Sequence, residues 1–406
     1  MNVHIPTGLH KETPEKISLM IKDQGFNCVR LLYSVYMWEN NPIVHVDAIA
    51  ALPESKTGSV RALQIFDRVI AALADANILI ILDNHVSDPA GCCDPFDQNG
   101  LWFNERFPEE KFIESWIGMA GRYRNEPMVI GYDLRNEMRP DIRISKTGAS
   151  IDIRYMVWEA ETKGTRKVML KNLVKPYAPE NLVGSWKHKT FVWAVNSAMS
   201  WIPVTVYNWK STFERLGAAL LKINPDALIF LEGVFNFDSY QPHVMSLVLN
   251  YFKKTKGEKF WLLKYFDIPD DACSYFQTQN LKDIAMEPIS NPDLASRTVF
   301  STHLYRFTYQ DYPQNWNVSD PAVYDAFSTS LDEYWGYLFK NYSRPIWIGE
   351  IGTGCSSIDF SPPWDGFISR YMQENDLDFG IWPISDSFPR IKDDGSYDPG
   401  SDGYGN

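Results

Sequence analysis

Two glutamates in this chain each close a short apolar run, and chemistry is expected there. Glu137 follows Val129-Ile130-Gly131-Tyr132-Asp133-Leu134-Arg135-Asn136, and Glu350 follows Ile346-Trp347-Ile348-Gly349. A carboxyl at the end of a buried strand can serve as general acid, general base or nucleophile, and glycoside hydrolysis needs two of them flanking one bond. Other polar residues collect at the ends of similar runs: Arg30, Asp83-Asn84-His85, Arg135-Asn136, His303 with Tyr305, and Trp382. One polar strand end is ordinary. Six in one chain point to a shared site. Asp83 and His85 suggest a metal pair, but no third ligand has a recognisable spacing, so no metal is expected. A G-x-S-x-G elbow, a G-x-G-x-x-G turn after a strand and a C-x-x-C pair are all missing from the sequence, which weakens the serine hydrolase, dinucleotide and structural zinc alternatives.

The elements that must position these residues follow a repeating pattern of amphipathic helix, turn and apolar strand. Helices are predicted over 14–24 (with Thr13 as N-cap and Pro14 in the first turn), 60–76, 109–124, 211–223, 321–340 and 364–374. Strands are predicted over 27–32, 78–83, 129–134, 227–232, 298–302, 346–350 and 379–382. The strands are continuous apolar runs rather than alternating ones, the signature of parallel strands covered on both faces. Seven such strands, six of them preceded by a helix, predict an α/β barrel or a doubly wound sheet. In a barrel all the polar strand ends would open onto one mouth, so the sequence separation of 213 between Glu137 and Glu350 is no obstacle.

Composition narrows the partners. The 406 residues carry 39 basic against 51 acidic side chains, a net charge of −12, which argues against nucleic acid and anionic membrane surfaces. No apolar run approaches the roughly 18 residues of a membrane span. Residues 1–9 lack the charged and apolar regions of a signal peptide. Cys28, Cys92, Cys93, Cys273 and Cys355 are too few for a disulfide scaffold, and sequence alone assigns no pairing. Two stretches break the rhythm: 141–207, with ten basic and five acidic residues, and 251–294, with no clean periodicity. Each is read as a lid-like insertion or as sequence foreign to the fold. Residues 392–406 are read as a flexible tail.

The ordered set Gly25-Phe26-Asn27-Cys28-Val29-Arg30-Leu31, Leu82-Asp83-Asn84-His85, Asn136-Glu137, His303-Leu304-Tyr305, Ile348-Gly349-Glu350 and Trp382 resembles glycoside hydrolase family 5, the cellulase family. The resemblance implies an α/β fold, the (β/α)8 TIM barrel. Ile5-Pro6-Thr7-Gly8-Leu9 resembles the loop after the first barrel strand, so that strand is expected to be missing, and 141–207 becomes a long insertion after barrel strand four. On this reading 1–406 is a single catalytic domain, and the chain is a truncated or imperfect gene product. The implied activity is that of a retaining hydrolase of β-linked polysaccharide, an endo-β-1,4-glucanase first. A mannanase, a glycolipid-type glycosidase and a catalytically impaired carbohydrate-binding protein are the alternatives. Glu137 would be the acid/base, required to start protonated, and Glu350 the nucleophile. Arg30 would hold Glu350 ionised, Asn136 would bind the sugar 2-hydroxyl, and Tyr305 would hydrogen-bond the nucleophile. His303 would lie by the acid/base, His85 would line the cleft, and Trp382 would face a pyranose ring. Trp38, Trp102, Tyr309 and Trp316 are read as sugar platforms or loop anchors. No cofactor is implied, and a secreted monomer acting on a polysaccharide or oligosaccharide is expected.

Overall fold

The computed structural model describes residues 5–89, 97–139, 141–144, 151–158, 204–233, 281, 284, 288–305, 321–352, 362–382, 390–391 and 397–398. Its main sheet has seven strands: β1 (Cys28–Ser34), β2 (Leu79–Val86), β3 (Val129–Asp133), β7 (Leu228–Glu232), β8 (Thr298–Tyr305), β9 (Ile346–Gly352) and β10 (Asp378–Ile381). They hydrogen-bond in that order, and every pairing is parallel. Strand order therefore follows chain order with no reversal. A doubly wound sheet requires a reversal, so the barrel alternative is the correct one.

The sheet is curled, and a simple length argument shows it. β1 and β9 stand five strand spacings apart, about 24 Å if the sheet were flat. Yet Arg30 on β1 meets Glu350 on β9 at 2.7 Å. Among the described residues β1 and β10 are the two edges of this half-barrel, and no strand lies between them.

Alternation along each strand explains both the core and the site. Val29 and Leu31, Ile80 and Leu82, Ile229 and Leu231, and Phe300 and Leu304 face the helices and join the main apolar cluster. The opposite faces begin apolar: Cys28, Ile81, Phe230, Val299 and Trp347 pack together as a floor inside the curl. One or two turns of the pleat further on, those inner faces become Arg30, Asp83, Glu232 and His303. An inner apolar floor thus gives way to a polar mouth at the C-terminal strand ends.

Helices cover the outer face. Helix α1 (Pro14–Asp23) is capped by the Thr13 hydroxyl, which accepts from the Lys16 amide. Helices α2 (Val35–Asn40), α3 (Ala62–Asp75) and α4 (Glu109–Tyr123) follow, then Trp209–Ile223. Strands β2 and β8 each run three residues beyond their expected ends, so His85, His303 and Tyr305 lie inside strands. The single helix expected over 321–340 is instead Pro321–Leu331, a π turn at Asp332–Gly336, and Tyr337–Tyr342. Asp332 there accepts from the Tyr371 hydroxyl at 2.5 Å, a contact made where the wider turn brings Gly336 against Tyr371.

Both ends of the 141–207 stretch carry strands: β4 (Asp141–Ile144), β5 (Ile151–Val157) and β6 (Val204–Asn208). β5 pairs antiparallel to β4 and parallel to β6. Met156 and Trp158 are buried in the main core, with Trp158 against Phe213 at 5.6 Å. From 251–294, Leu281, Ile284 and Leu294 are also buried core residues. In the 392–406 region, Tyr397–Asp398 (β12) pairs with Arg390–Ile391 (β11). Cys28 is a free thiol, while the other four cysteines, Tyr309 and Trp316 lie outside the described residues.

Gly349 is where three strands crowd. A Cβ there would stand 2.8 Å from Ser301 Oγ and 2.9 Å from His303 Nε2 on β8, while the backbone of Gly380 approaches from the other side. Gly121, in the last turns of α4, has nothing within 4 Å of its Cβ position. Gly349→Ala is expected to cost about 1–3 kcal/mol through overpacking. Gly121→Ala is expected to gain roughly 0.5–1 kcal/mol through chain entropy. Urea unfolding of the two variants checks both signs.

Candidate active site

Arg30 is the hub of the mouth. Its Nε donates to Asp133 at 2.7 Å, Nη1 to Glu350 Oε1 at 2.7 Å, and Nη2 to Asn136 Oδ1 at 2.8 Å and Glu232 Oε1 at 3.0 Å. Asp83 stands 3.1 Å from the same Nη2. Four carboxylates from four strands therefore share one planar guanidinium, whose fixed fork suits several acceptors at once. Burial alone would lower the pKa of Arg30. Asp83, Asp133, Glu350 and Glu232 together outweigh that and hold it charged.

Glu350 accepts on both oxygens, from Arg30 on Oε1 and from the Tyr305 hydroxyl on Oε2 at 2.5 Å. Glu137 lies opposite. Its Oε1 is 2.8 Å from His303 Nδ1, and that nitrogen is 3.5 Å from Glu350 Oε2. Ligand atoms of Glu137, His303 and Glu350 all fall within 4.8 Å of one another. Glu137 adopts φ 37°, a left-handed conformation uncommon for a residue with a side chain. Its amide is held there by Glu232 Oε2 at 2.7 Å, and Arg139 Nη1 reaches its carbonyl at 3.4 Å.

The remaining expected residues converge on the same mouth. Asn136 Nδ2 is 3.4 Å from His85 Nε2, and His85 Nδ1 is 2.8 Å from Asp83. The His85 and Trp382 rings stack at 5.2 Å with a 6° tilt, so one face of the indole is already covered. Arg135 does not join the cluster. It is buried beneath it, donating to Asn84 Oδ1 and to the carbonyls of Asn99 and Leu101. Trp102 is a core residue, fully buried against Trp209 with its indole donating to Glu109. Trp38 packs partly buried against the core, beside Gly118.

Asp133 and Glu232 belong to the site although sequence reading left them out. Glu232 meets the same criterion as Glu137 and Glu350, since it closes the apolar run Leu228-Ile229-Phe230-Leu231. A uniform use of that criterion would have found it.

The electrostatics correct one expectation. Burial would raise the pKa of Glu137, but the His303 hydrogen bond and charge outweigh it, so the carboxyl lies below its ordinary value. Burial would lower His303, yet Glu232, Glu350 and the Glu137 hydrogen bond raise it well above the usual imidazole range. Both shifts favour the histidine side for the proton of the Nδ1···Oε1 hydrogen bond. Glu232 is pushed up to about 7 by burial, with His303 opposing and Asp133 adding to the rise. Burial drives His85 down to about 3, so it is neutral. Asp83 is pushed up to about 6, again by burial, with Arg30 and His303 opposing.

Asp83 gives a signed stability prediction. Its folded pKa exceeds its unfolded value, so its neutral form is favoured by folding. That contribution is complete below about pH 4 and is lost as pH rises through about 6. Thermal unfolding of wild type and Asp83→Asn between pH 3.5 and 7 should show the variant gaining on wild type as pH rises. A constant difference across the range would refute this.

The family model described as Cellulase (glycosyl hydrolase family 5) matches residues 1–180 and 187–387. An endoglucanase of Paenibacillus polymyxa is 24% identical over 381 residues, covering 93% of this chain and 71% of that protein. A glycosyl hydrolase 5 family protein of Chamaecyparis obtusa is 32% identical over 182 residues, and the match spans 41% of this chain and 32% of that protein. The fold is similar to that of a Pyrococcus horikoshii endocellulase solved with cellotetraose, with a TM-score of 0.57, 23% identity, and coverage of 95% of this chain and 82% of that one. The strand-end residues, their convergence in one mouth and the span of the family match agree: the chain belongs to glycosyl hydrolase family 5, the cellulase family.

Proposed function

We propose that this chain is a retaining endo-β-1,4-glucanase in which Glu350 is the nucleophile and Glu137 the acid/base. The observation that carries the reading is the carboxylate spacing. Glu137 and Glu350 oxygens within 4.8 Å leave no room for the intervening water of an inverting enzyme, which needs roughly 6.5–9.5 Å, and suit the roughly 5–5.5 Å of a retaining one. The endoglucanases among its relatives support the glucan preference, and the family membership supports the glycosidase chemistry.

In the first step Glu350 attacks the anomeric carbon while the proton on the Glu137–His303 hydrogen bond passes to the glycosidic oxygen. The bond to the leaving sugar breaks as the bond to Glu350 forms. In the second step Glu137 takes a proton from water, and the hydroxide equivalent displaces Glu350. Tyr305 and Arg30 hold the nucleophile's two oxygens throughout. Asn136, its Oδ1 fixed by Arg30, presents its Nδ2 side to the sugar 2-hydroxyl, a contact that strengthens as positive charge builds on the ring. Trp382 meets the sugar with the indole face that His85 does not cover. One chain supplies both carboxylates, so the reading needs no partner subunit. An extracellular site of action fits the family's polymeric substrates and the exposed Asn341-Tyr342-Ser343 glycosylation sequon.

Three measurements check the proposal. Proton NMR of the first product released from a soluble β-1,4-glucan should show the β-anomer, and an α-anomer would overturn the retaining assignment. Glu137→Ala should lose about 10²–10⁴-fold on the glucan and far less on an aryl β-cellobioside whose leaving group needs no proton. Glu350→Ala should lose both. Reducing-sugar release from mannan or xylan in preference to glucan would replace the substrate, not the mechanism.

A further inference from the structure

Glu232 is a buried carboxylate that the two-step reaction does not use. It touches both halves of the site. Its Oε2 accepts from the amide of Glu137 at 2.7 Å. Its Oε1 accepts from Arg30 Nη2 at 3.0 Å and lies 3.2 Å from His303 Nε2. Nε2 has no aligned hydrogen-bond partner among the described residues, and the Glu232 oxygen at 3.2 Å is the carboxylate placed to take up a proton on that nitrogen. The other ring nitrogen, Nδ1, meets Glu137 Oε1 at 2.8 Å.

Resting on the reading of Glu137 as acid/base, we propose that Glu232 is a positioning residue that keeps a proton on His303 Nε2 and clamps the Glu137 backbone, so that the Nδ1···Oε1 hydrogen bond carries the one proton the reaction moves. A neutral imidazole holds its proton on one nitrogen and accepts on the other. With Nε2 protonated toward Glu232, Nδ1 can receive a proton from Glu137 or return it. With the proton on Nδ1 alone and Nε2 bare, Nδ1 could only donate, and Glu137 could not hold an acidic proton against it. The proton given to the glycosidic oxygen leaves the Nδ1···Oε1 bond, and the proton taken from water returns to it. The Nε2 proton stays in place through both steps. The clamp is the second half of the role: φ 37° at Glu137 persists only where surrounding contacts hold it, and Glu232 supplies the one to its amide.

The groups facing Glu232 decide the sign of its effect. Arg30 and His303 are the cations, and Asp83, Asp133, Glu137 and Glu350 are the other carboxyl groups of the mouth. Once ionised, Glu232 makes loss of the shared proton harder. Removing its charge makes that loss easier, so the alkaline limb of activity moves to lower pH.

The test compares full-length wild type with Glu232→Gln. Rates are measured from pH 4 to 9 on a soluble β-1,4-glucan and on an aryl β-cellobioside with a good leaving group. The expected result is an alkaline limb of kcat/KM for the glucan moved to lower pH by about one unit or more, and kcat on the glucan reduced about 10²-fold or more. The loss on the aryl substrate should be at least tenfold smaller than on the glucan. Equal losses on both substrates with an unmoved limb would mean a purely structural role and would overturn the proposal. Should the variant not fold, ¹⁵N NMR of histidine-labelled wild type decides instead. A proton on His303 Nε2 from pH 5 to 8 supports the assignment, and a bare Nε2 overturns it. Failure of the parent reading looks different: Glu137→Ala would then show no dependence on leaving group, whatever Glu232 does.

Discussion

One guanidinium among four buried carboxylates is the constraint on which the rest depends. Arg30 ties β1 to β2, β3, β7 and β9 through Asp83, Asp133, Glu232 and Glu350. Removing one partner of a buried pair costs on the order of 3–5 kcal/mol, because it strands the other charge. Here a single loss would strand four. The same contact fixes the curl of the sheet, since only a curled sheet lets β1 reach β9. Shape and electrostatics are therefore two consequences of one interaction.

The acidic excess of the mouth then sets the chemistry. Asp83, Asp133, Glu232, Glu137 and Glu350 cannot all ionise beside one arginine and one histidine. The cost is met by the rise of Asp83 to about 6 and of Glu232 to about 7, so that both give up their protons late, and by the imidazolium of His303. The result is asymmetric. Glu350 is gripped by fixed donors that carry no mobile proton at neutral pH, whereas Glu137 shares a proton with a base. The roles proposed for Glu350 and Glu137 therefore rest on their surroundings, not on residue type, which is the general way two carboxyls come to divide labour.

Much of the scaffold was legible in the sequence because both faces of the inner parallel strands are buried, leaving unbroken apolar runs such as Ile78 to Leu82, whereas the edge strand β10 is largely exposed. The ends of those runs gave Glu137, Glu350, Arg30, His85, Asn136, His303, Tyr305 and Trp382, and the structure brings all eight to one mouth. What stayed hidden depends on contacts made across the fold. The protonation of Glu137 follows from a histidine 166 residues away. Glu232 is read as an ordinary strand end until its oxygen is seen on the Glu137 amide. Trp102 could be told from a sugar platform only by its burial against Trp209, and the π turn at Asp332 only by the Tyr371 hydroxyl opposite. The 141–207 stretch has foreign-looking charge, yet Met156 and Trp158 within it fill the common core.

The central claim is that the curled sheet turns Glu350 into a nucleophile facing Glu137. Trapping tests it most directly. Wild type incubated with an aryl 2-deoxy-2-fluoro-β-cellobioside, digested and analysed by mass spectrometry, should carry one fluorocellobiosyl adduct, on Glu350. An adduct on another residue, or no adduct from a preparation that hydrolyses the parent glycoside, would contradict the account.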